Sequence, residues 1–185
     1  IHFTGVVPNP TVESVEEALT LIDDKALDFI CVVGGGSAMD TAKAIAFKQA
    51  YPQKDWNEIF ANYGSPVPVY ETIENILPIV AIPTTAGTGS HVTQAAVLSQ
   101  GSEKLTFFHQ QLFSTEAIID PVLTTTLPLR MTSATAFDTF THAFESYIST
   151  RSTALTKLDS IEAMTRVIKY LPQVLKDPQN VYLRE

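Results

Sequence analysis

The chain has 185 residues, and its 45% hydrophobic and 17% charged content is typical of a globular protein with a sizeable core. The formal net charge of −8 argues against a nucleic-acid or anionic-membrane surface, so neither partner is expected. A single cysteine, Cys31, provides neither a disulfide framework nor a cysteine metal cluster, which favours a reducing, cytoplasmic compartment. No apolar run approaches the length of a membrane span.

The first segment predicts a strand, a turn and a helix. Residues 1–6 alternate as in a strand, and the chain opens at Ile1 without a methionine, so we expect a piece of a longer protein. Residues 8–11 form a turn cluster, and Thr11 is placed to cap an amphipathic helix over residues 12–24. The apolar face of that helix comprises Val15, Ala18, Leu19 and Ile22.

The stretch at residues 29–50 predicts a buried strand, a glycine turn and a helix. Residues 29–33 are uniformly apolar and too few for a helix, which favours a strand buried on both faces of a parallel sheet. Glycines at 34–36 leave the backbone open to an approaching group, and Ser37 with Asp40 forms a capping-box pattern before a helix over residues 38–50. Such a helix start suits a phosphate. An unliganded tight turn is the alternative, because neither the G-x-G-x-x-G nor the Walker A pattern is complete.

The middle of the chain predicts a second loop at the edge of the same sheet. A short helix at 56–61 precedes a buried strand at 77–82, which ends in small and hydroxyl residues at 83–90. Open α/β sheets bind ligands at this edge, although an unliganded polar loop is the alternative. Residues 94–99 and 104–108 predict a hairpin, and 117–119 a further strand. Strands alternating with helices indicate right-handed crossovers and a parallel sheet.

Beyond Thr126 helical periodicity replaces strands, so a domain boundary is expected near Leu127. A long amphipathic helix is predicted over 155–176, interrupted near its end by Pro172. In residues 137–148 the aromatic side chains form one helical stripe, which is expected to pack. Asp138 and His142 lie on the opposite stripe, four residues apart, so both can reach one cation. The alternative is a polar face that meets only water.

The glycine turn, the second loop and the helix with Asp138 and His142 form three motifs. In this order and spacing they resemble the iron-containing (group III) alcohol dehydrogenase family, which has a dehydroquinate synthase-like fold. Val-Val-Gly-Gly-Gly-Ser-Ala-Met-Asp-Thr-Ala-Lys at 32–43 resembles its pyrophosphate loop. Ile-Pro-Thr-Thr-Ala-Gly-Thr-Gly-Ser at 82–90 resembles its second cofactor loop, and Asp-Thr-Phe-Thr-His-Ala-Phe-Glu at 138–145 its metal helix. The resemblance implies an α and β multidomain fold. A Rossmann-like parallel α/β domain at 1–127, without its N-terminal strand–helix–strand unit, would precede the first part of an all-helical metal-binding domain at 128–185.

The resemblance also implies a chemistry: hydride transfer between a small alcohol or aldehyde and NAD or NADP, with Fe²⁺ or Zn²⁺ as the metal. It places cofactor and substrate in the cleft between the two domains and assigns no catalytic side chain in this chain. The implied metal ligands are Asp138 and His142. The implied cofactor-binding residues are Asn9, Gly35, Gly36, Ser37, Asp40, Thr84, Thr85, Thr88, Thr93, Val97 and Lys104.

Departures from the family pattern limit these expectations. His91 stands where a glutamate is common, Ala136 replaces a glycine, and residues 109–116 lack the usual Pro-His and Pro-Asp pairs. The family's other two metal ligands would lie beyond Glu185, so the chain alone is expected to be inactive. The sheet edge left by the missing strands predicts self-association, and hence a homo-oligomer.

Two other functions stay open at this point. The fold would also suit a metal-free relative such as a maleylacetate reductase, or a dehydroquinate synthase, which is a lyase. A non-catalytic nucleotide-binding fragment is the third hypothesis. The metal content of the full-length protein would distinguish the metal-dependent dehydrogenase from a metal-free relative. Titration of the fragment with NADH would test the nucleotide-binding hypothesis.

Overall fold

The computed structural model describes residues 1–22, 25–65 and 71–185. These residues divide into two compact units. Unit 1 comprises Ile1–Pro83 and Ser90–Ile119, and unit 2 comprises Thr84–Gly89 and Asp120–Glu185. The central residues of the second loop therefore belong to the same unit as the C-terminal helices. The domain boundary predicted near Leu127 stays a prediction.

Apart from residues 1–6, the regular elements follow the predicted order. Unit 1 contains α1 (Val12–Thr20), β1 (Ile30–Gly34), α2 (Gly36–Ala50), α3 (Trp56–Tyr63), β2 (Ile79–Pro83), β3 (Ala95–Gln100), β4 (Glu103–Phe108) and β5 (Glu116–Ala117). Unit 2 contains α4 (Leu129–Ile148), α5 (Ala154–Val174) and α6 (Val181–Arg184). The end predicted for the first helix, at residues 23–24, lies outside the described residues. None of the described helices has the length and apolarity needed to cross a membrane.

Unit 1 is built on a parallel sheet with strand order β1-β2-β5. Ile30 pairs with Ile79, and Val80 pairs with Glu116, so the carboxyl ends of β1 and β2 lie side by side. The two loops predicted to bind a cofactor follow directly from these ends. The hairpin β3–β4 is a separate antiparallel pair, as predicted. This architecture, with helices after it, confirms the predicted Rossmann-like parallel domain followed by a helical part.

An aromatic core holds the hairpin to the helices of unit 1. Phe47 of α2 and Phe107 of β4 are fully buried, with ring centroids 5.2 Å apart. Tyr63 of α3 meets Phe47 edge-on at 4.9 Å, and Trp56 completes the cluster. Edge-to-face and tilted pairs of this kind add to the stabilisation from buried area. The core thereby anchors α2, the helix that begins at the glycine turn.

Two predictions about strands are wrong. Residues 1–6 form no strand, because a strand exists only by pairing and none of the described residues pairs with them. The strand after residue 29 is buried on one face only: Val32 is 9% exposed, whereas Val33 is 60% exposed. In the described part of the chain β1 is an edge strand, with helix α2 packed against it and its Val33 face open. Apolar composition cannot reveal whether a second layer covers that face.

Unit 2 is a helical layer in which α4 packs along α5. Thr153 and Thr156 form a reciprocal capping box at the start of α5. The helix continues through Pro172 to Val174, so the predicted interruption is wrong, and the proline is accommodated close to the helix end. The aromatic stripe of α4 does not pack as predicted, since Phe137 is 64% and Phe144 is 47% exposed. Periodicity shows which residues share a face but not whether an element covers it.

Candidate functional site

The glycine turn between β1 and α2 depends on the absence of side chains. Gly34 has φ 157°, and a Cβ there would lie 2.7 Å from the Cβ of Ala38, so only glycine fits. Gly35 is the N-cap of α2, and no side chain of the described residues caps this helix end. The amides of the first turn thus keep the positive helix end open to an anion. The capping box predicted for Ser37 and Asp40 is wrong, because the helix already begins at Gly36.

Three of the predicted cofactor residues meet beside this turn. The backbone N–H of Asn9 donates to Ser37 Oγ at 3.2 Å, and Lys104 Nζ donates to Asn9 Oδ1 at 2.7 Å. Asn9 takes up φ 53°, a left-handed conformation that asparagine tolerates better than most residues. The contacts bring together the N-terminal turn, the start of α2 and the hairpin. An exposed cation and open amides therefore lie close to the same helix start.

Asp40, one turn further along α2, is engaged in hydrogen bonds within the protein. Its carboxylate accepts from Ser90 Oγ at 2.7 Å and from the backbone N–H of Val97 at 3.3 Å. Burial raises the pKa of Asp40, against the opposite effects of the Ser90 hydrogen bond and the Lys43 charge. The carboxylate thereby connects α2 to the chain that leads into β3.

Lys43 is the functional candidate that the sequence analysis did not assign. Its side chain is fully buried, and Nζ donates to Ser90 O (2.6 Å), Ser90 Oγ (2.9 Å), Thr93 Oγ1 (3.1 Å) and Ala95 O (2.8 Å). Burial lowers the pKa of Lys43 to about 8, and the charge of Asp40 partly opposes this effect. Residues 90–95, which we call the arm, are therefore fastened to α2 by one ammonium group.

A signal for this buried lysine is present in the sequence. Met39, Lys43 and Phe47 are spaced by four residues, so the lysine lies on the apolar stripe of its own helix. A cation in such a position needs several acceptors to compensate for its lost hydration. The acceptors themselves lie about fifty residues away in sequence, at the arm, and no local pattern identifies them.

Two other histidines of unit 1, His91 and His109, have surroundings that favour the neutral ring. His109 is 1% exposed, and its Nδ1 accepts from the backbone N–H of Gln111 while Nε2 donates to the carbonyl of Glu71 at 2.9 Å. This pattern requires the neutral ring, and burial lowers the pKa of His109 accordingly. The pKa of His91 is lowered by burial and by the charge of Lys43. Burial therefore favours the neutral ring in both histidines.

The second loop lies against helix α4 within unit 2. Gly87 has φ 105°, and a Cβ there would lie 2.8 Å from the carbonyl oxygen of Thr135 and 2.9 Å from Asp138 Oδ2. The backbone at Gly87 therefore approaches the carboxylate more closely than any other residue type allows. Thr84, Thr85 and Thr88, the predicted cofactor residues of this loop, surround that contact in sequence.

Asp138 and His142 form the predicted pair on α4. Asp138 Oδ1 and His142 Nε2 are 3.5 Å apart, and the side chains are 41% and 57% exposed. A carboxylate oxygen and an imidazole nitrogen at this separation fit the donor preferences of Fe²⁺ or Zn²⁺. Within the described ranges no third His, Cys, Asp or Glu joins them. The pair thus fits a metal as two of its ligands.

Unit 2 also contains a cavity that the sequence analysis did not predict. It has a volume of about 330 Å³, and the buried Thr132 hydroxyl on its wall has no hydrogen-bond partner among the described residues. Its walls include Ala86, Thr132, Thr135, Tyr170, Val174 and Arg184. The wall residues come from segments far apart in sequence, so periodicity gives no sign of the cavity.

The structure thus places the predicted residues in three groups. Gly35 and Gly36 form the turn at the start of α2, beside Asn9, Ser37 and Lys104. Asp40, Thr93 and Val97 belong to the network of the buried lysine. Thr84, Thr85 and Thr88 lie in the loop that contacts α4, which carries Asp138 and His142.

Comparison with known proteins gives a consistent result. A family model for iron-containing alcohol dehydrogenase matches residues 1–121, and one for the C-terminal part of the Fe-containing alcohol dehydrogenase family matches residues 132–185. Long-chain-alcohol dehydrogenase 1 of Geobacillus thermodenitrificans is 40% identical over 80% of this chain, and the match covers 36% of that relative. NAD-dependent methanol dehydrogenase of Bacillus methanolicus is 31% identical over 99% of this chain and 46% of its own length. The chain therefore spans less than half the length of these curated relatives.

Solved structures share the fold. Sulfoacetaldehyde reductase from Bifidobacterium kashiwanohense, in complex with NAD⁺, is 34% identical with a TM-score of 0.85, over 98% of this chain and 47% of that one. A 1,3-propanediol oxidoreductase is 31% identical with a TM-score of 0.88, over 99% of this chain and 46% of that one. Both family models and the shared fold lead to one conclusion: the chain belongs to the iron-containing alcohol dehydrogenase family.

Proposed function

We propose that this chain is the cofactor-binding and metal-binding part of an NAD-dependent, metal-dependent alcohol dehydrogenase that also reduces the corresponding aldehyde. Two relatives are an NAD-dependent methanol dehydrogenase and an NADH-dependent butanol dehydrogenase, which supports this proposal for the full-length protein. The observation that carries it is the contact in unit 2 between a predicted cofactor loop and a predicted metal ligand. At Gly87 the backbone reaches Asp138, which stands 3.5 Å from His142.

The cofactor would be held chiefly by backbone groups and small side chains at the start of α2. Gly35 and Gly36 let the pyrophosphate approach the uncapped amides, and the helix dipole favours its negative charge. Lys104, held by Asn9, adds a positive charge beside the turn. The hydroxyl of Ser37 supports this arrangement by accepting from the backbone of Asn9.

The metal would be held by Asp138 and His142, with further ligands from outside the described residues. A bound divalent cation supplies Lewis acidity toward an alcohol or aldehyde oxygen, and nicotinamide supplies the hydride acceptor or donor. The task of this chain is to orient these groups. Asp138 lies close to the Gly87 backbone, and His142 lies one turn along the same helix, so both ligands project from one rigid element.

The test is aldehyde reduction by the full-length protein, followed by the loss of NADH absorbance with Fe²⁺ or Zn²⁺ present. Asp138→Asn and His142→Ala should each lower kcat/KM by at least about 100-fold, because each removes a metal ligand. Glu145→Gln is the matched control, since Glu145 is exposed on the same helix but forms no ligand group with other described residues. Metal-independent turnover, or equal activity of the three variants, would contradict the proposal.

Further predictions belong to the same proposal. The 185 residues alone should show no turnover, because the described part provides two metal ligands only. A homo-oligomer, a cytoplasmic location, and the absence of nucleic-acid or membrane partners stay predictions, as does the division into domains at residues 127 and 128.

A further inference from the structure

The buried lysine of α2 is not used by the chemistry proposed above, yet it is the most constrained cation in the described part of unit 1. Lys43 has no exposed surface, and its ammonium group faces four oxygen acceptors. Three of these acceptor groups belong to Ser90 and Thr93, and the fourth is the carbonyl of Ala95. Burying an ammonium group is costly, and full hydrogen bonding offsets that cost.

The acceptors are concentrated in one short segment. The arm at residues 90–95 connects the second cofactor loop to strand β3, and it contains the predicted cofactor residue Thr93. A 3-10 turn at Ser90–Val92 gives the arm its compact shape. The arm has little buried apolar surface of its own, since Ser90 is its buried residue. Its position against α2 therefore depends on polar contacts, of which Lys43 supplies four.

The same network includes a second charged side chain. Asp40 accepts from Ser90 Oγ and from the backbone N–H of Val97, so carboxylate and ammonium hold the arm from two points one turn apart on α2. The charge of Asp40 also favours the protonated form of Lys43. Together they tie the arm to the helix whose first turn is the glycine turn.

We propose that Lys43 is a positioning residue for the nucleotide, whose ammonium group fixes the arm against α2 so that the glycine turn and the arm present one rigid cofactor site. This inference rests on the proposed function, because it assumes that the turn binds a nicotinamide cofactor. Lys43 itself does not touch the cofactor. It acts through Ser90, Thr93 and Ala95.

The experiment compares Lys43→Met with the full-length protein in NADH fluorescence titrations. Methionine keeps the unbranched shape and the burial but removes all four hydrogen bonds, so the dissociation constant for NADH should rise about ten-fold or more. Lys48→Met is the matched control. Lys48 is on the same helix and also donates to backbone carbonyls, those of Pro52 and Lys54, at the far end from the glycine turn. It should leave the NADH dissociation constant within about two-fold of the parent.

The pH dependence separates positioning from a general loss of stability. Among the groups that face Lys43, Asp40 lies on its own helix and His91 on the arm. Above about pH 8 the ammonium group loses a proton and one hydrogen-bond donor, so NADH affinity of the parent should fall between pH 7 and pH 9. Lys43→Met should lack that decline.

Where Lys43→Met does not fold, Ser90→Ala is the second variant. It removes one acceptor of Lys43 and the donor to Asp40, and should likewise weaken NADH binding.

The outcomes distinguish the two proposals. If the parent protein binds no NADH and reduces no aldehyde, the proposed function fails. If the parent binds NADH but Lys43→Met binds it within two-fold, or shows the same decline with pH, the positioning role is overturned while the proposed function stands. An equal loss of NADH affinity in Lys43→Met and Lys48→Met would overturn it as well.

Discussion

At the scale of single residues, two glycines of the second loop have positive φ, but only one of them also lies too close to a neighbour to accept a Cβ. Substituting each in turn therefore separates backbone strain from steric clash. Gly87 and Gly89 both have positive φ, 105° and 61°, but a Cβ at Gly89 would meet no atom of the described residues within 4 Å. Alanine at either position is expected to lower the free energy of unfolding by about 1 kcal/mol through backbone strain. Only Gly87→Ala forces a Cβ against Thr135 O and Asp138 Oδ2.

Gly87→Ala should therefore weaken metal binding about ten-fold, because the added Cβ must displace either the loop or the Asp138 carboxylate. Gly89→Ala should leave metal affinity unchanged. Titration of the metal-free full-length protein with Zn²⁺ by calorimetry measures both. Equal metal affinities in the two variants would show that the loop does not position Asp138.

At the scale of elements, the order and type of most helices and strands could be predicted, because each has its own hydrophobic periodicity and its own turn or capping residues. The hairpin is an example: Gly101 has the positive φ, 59°, that the turn requires. The exposure of Val33 and Phe137 could not be predicted, since the same apolar pattern serves a covered and an uncovered face. Likewise, Asp138 and His142 follow from helical spacing, whereas the acceptors of Lys43 depend on how the arm folds back.

One carboxylate joins two helix ends in unit 1. Tyr51, the C-cap of α2, donates to Glu71 Oε1 at 2.6 Å, and Tyr63 at the end of α3 donates to Glu71 Oε2 at 3.0 Å. These hydrogen bonds, aided by the charge of Lys54, lower the pKa of Glu71 below its ordinary 4.5. The ionised carboxylate is therefore stabilised more in the folded protein than in the unfolded chain.

Glu71→Gln should lower the free energy of unfolding by about 1 kcal/mol at pH 7, a value that allows for the solvent exposure of Glu71. Because the folded pKa is the lower one, the contribution is fully present above pH 4.5 and is lost as the pH falls through the folded value. The difference between parent and variant should shrink below pH 4.5. Urea unfolding at pH 7 and pH 3.5 measures it, with exposed Glu74→Gln as control. A difference that is constant with pH would contradict the linkage.

At the scale of the whole molecule, the predicted cofactor and metal groups are distributed over two compact units. Lys104 has its partner Asn9 in unit 1, whereas Asp138 is bordered by Gly87 and His142 in unit 2. Sites without shared partners usually contribute additively to measured free energies.

A double-mutant cycle on the full-length protein tests this division. Lys104→Ala should weaken NADH binding, because a positive charge beside the turn is lost, and should leave Zn²⁺ affinity unchanged. Asp138→Asn should do the reverse. In the double variant the two losses should add, with an interaction energy below about 0.5 kcal/mol for either ligand. An interaction energy above about 1 kcal/mol would contradict additivity and mean that the cofactor turn and the metal pair are coupled. Residues 84–93, which connect the two sets along the chain, would then be the first segment to mutate.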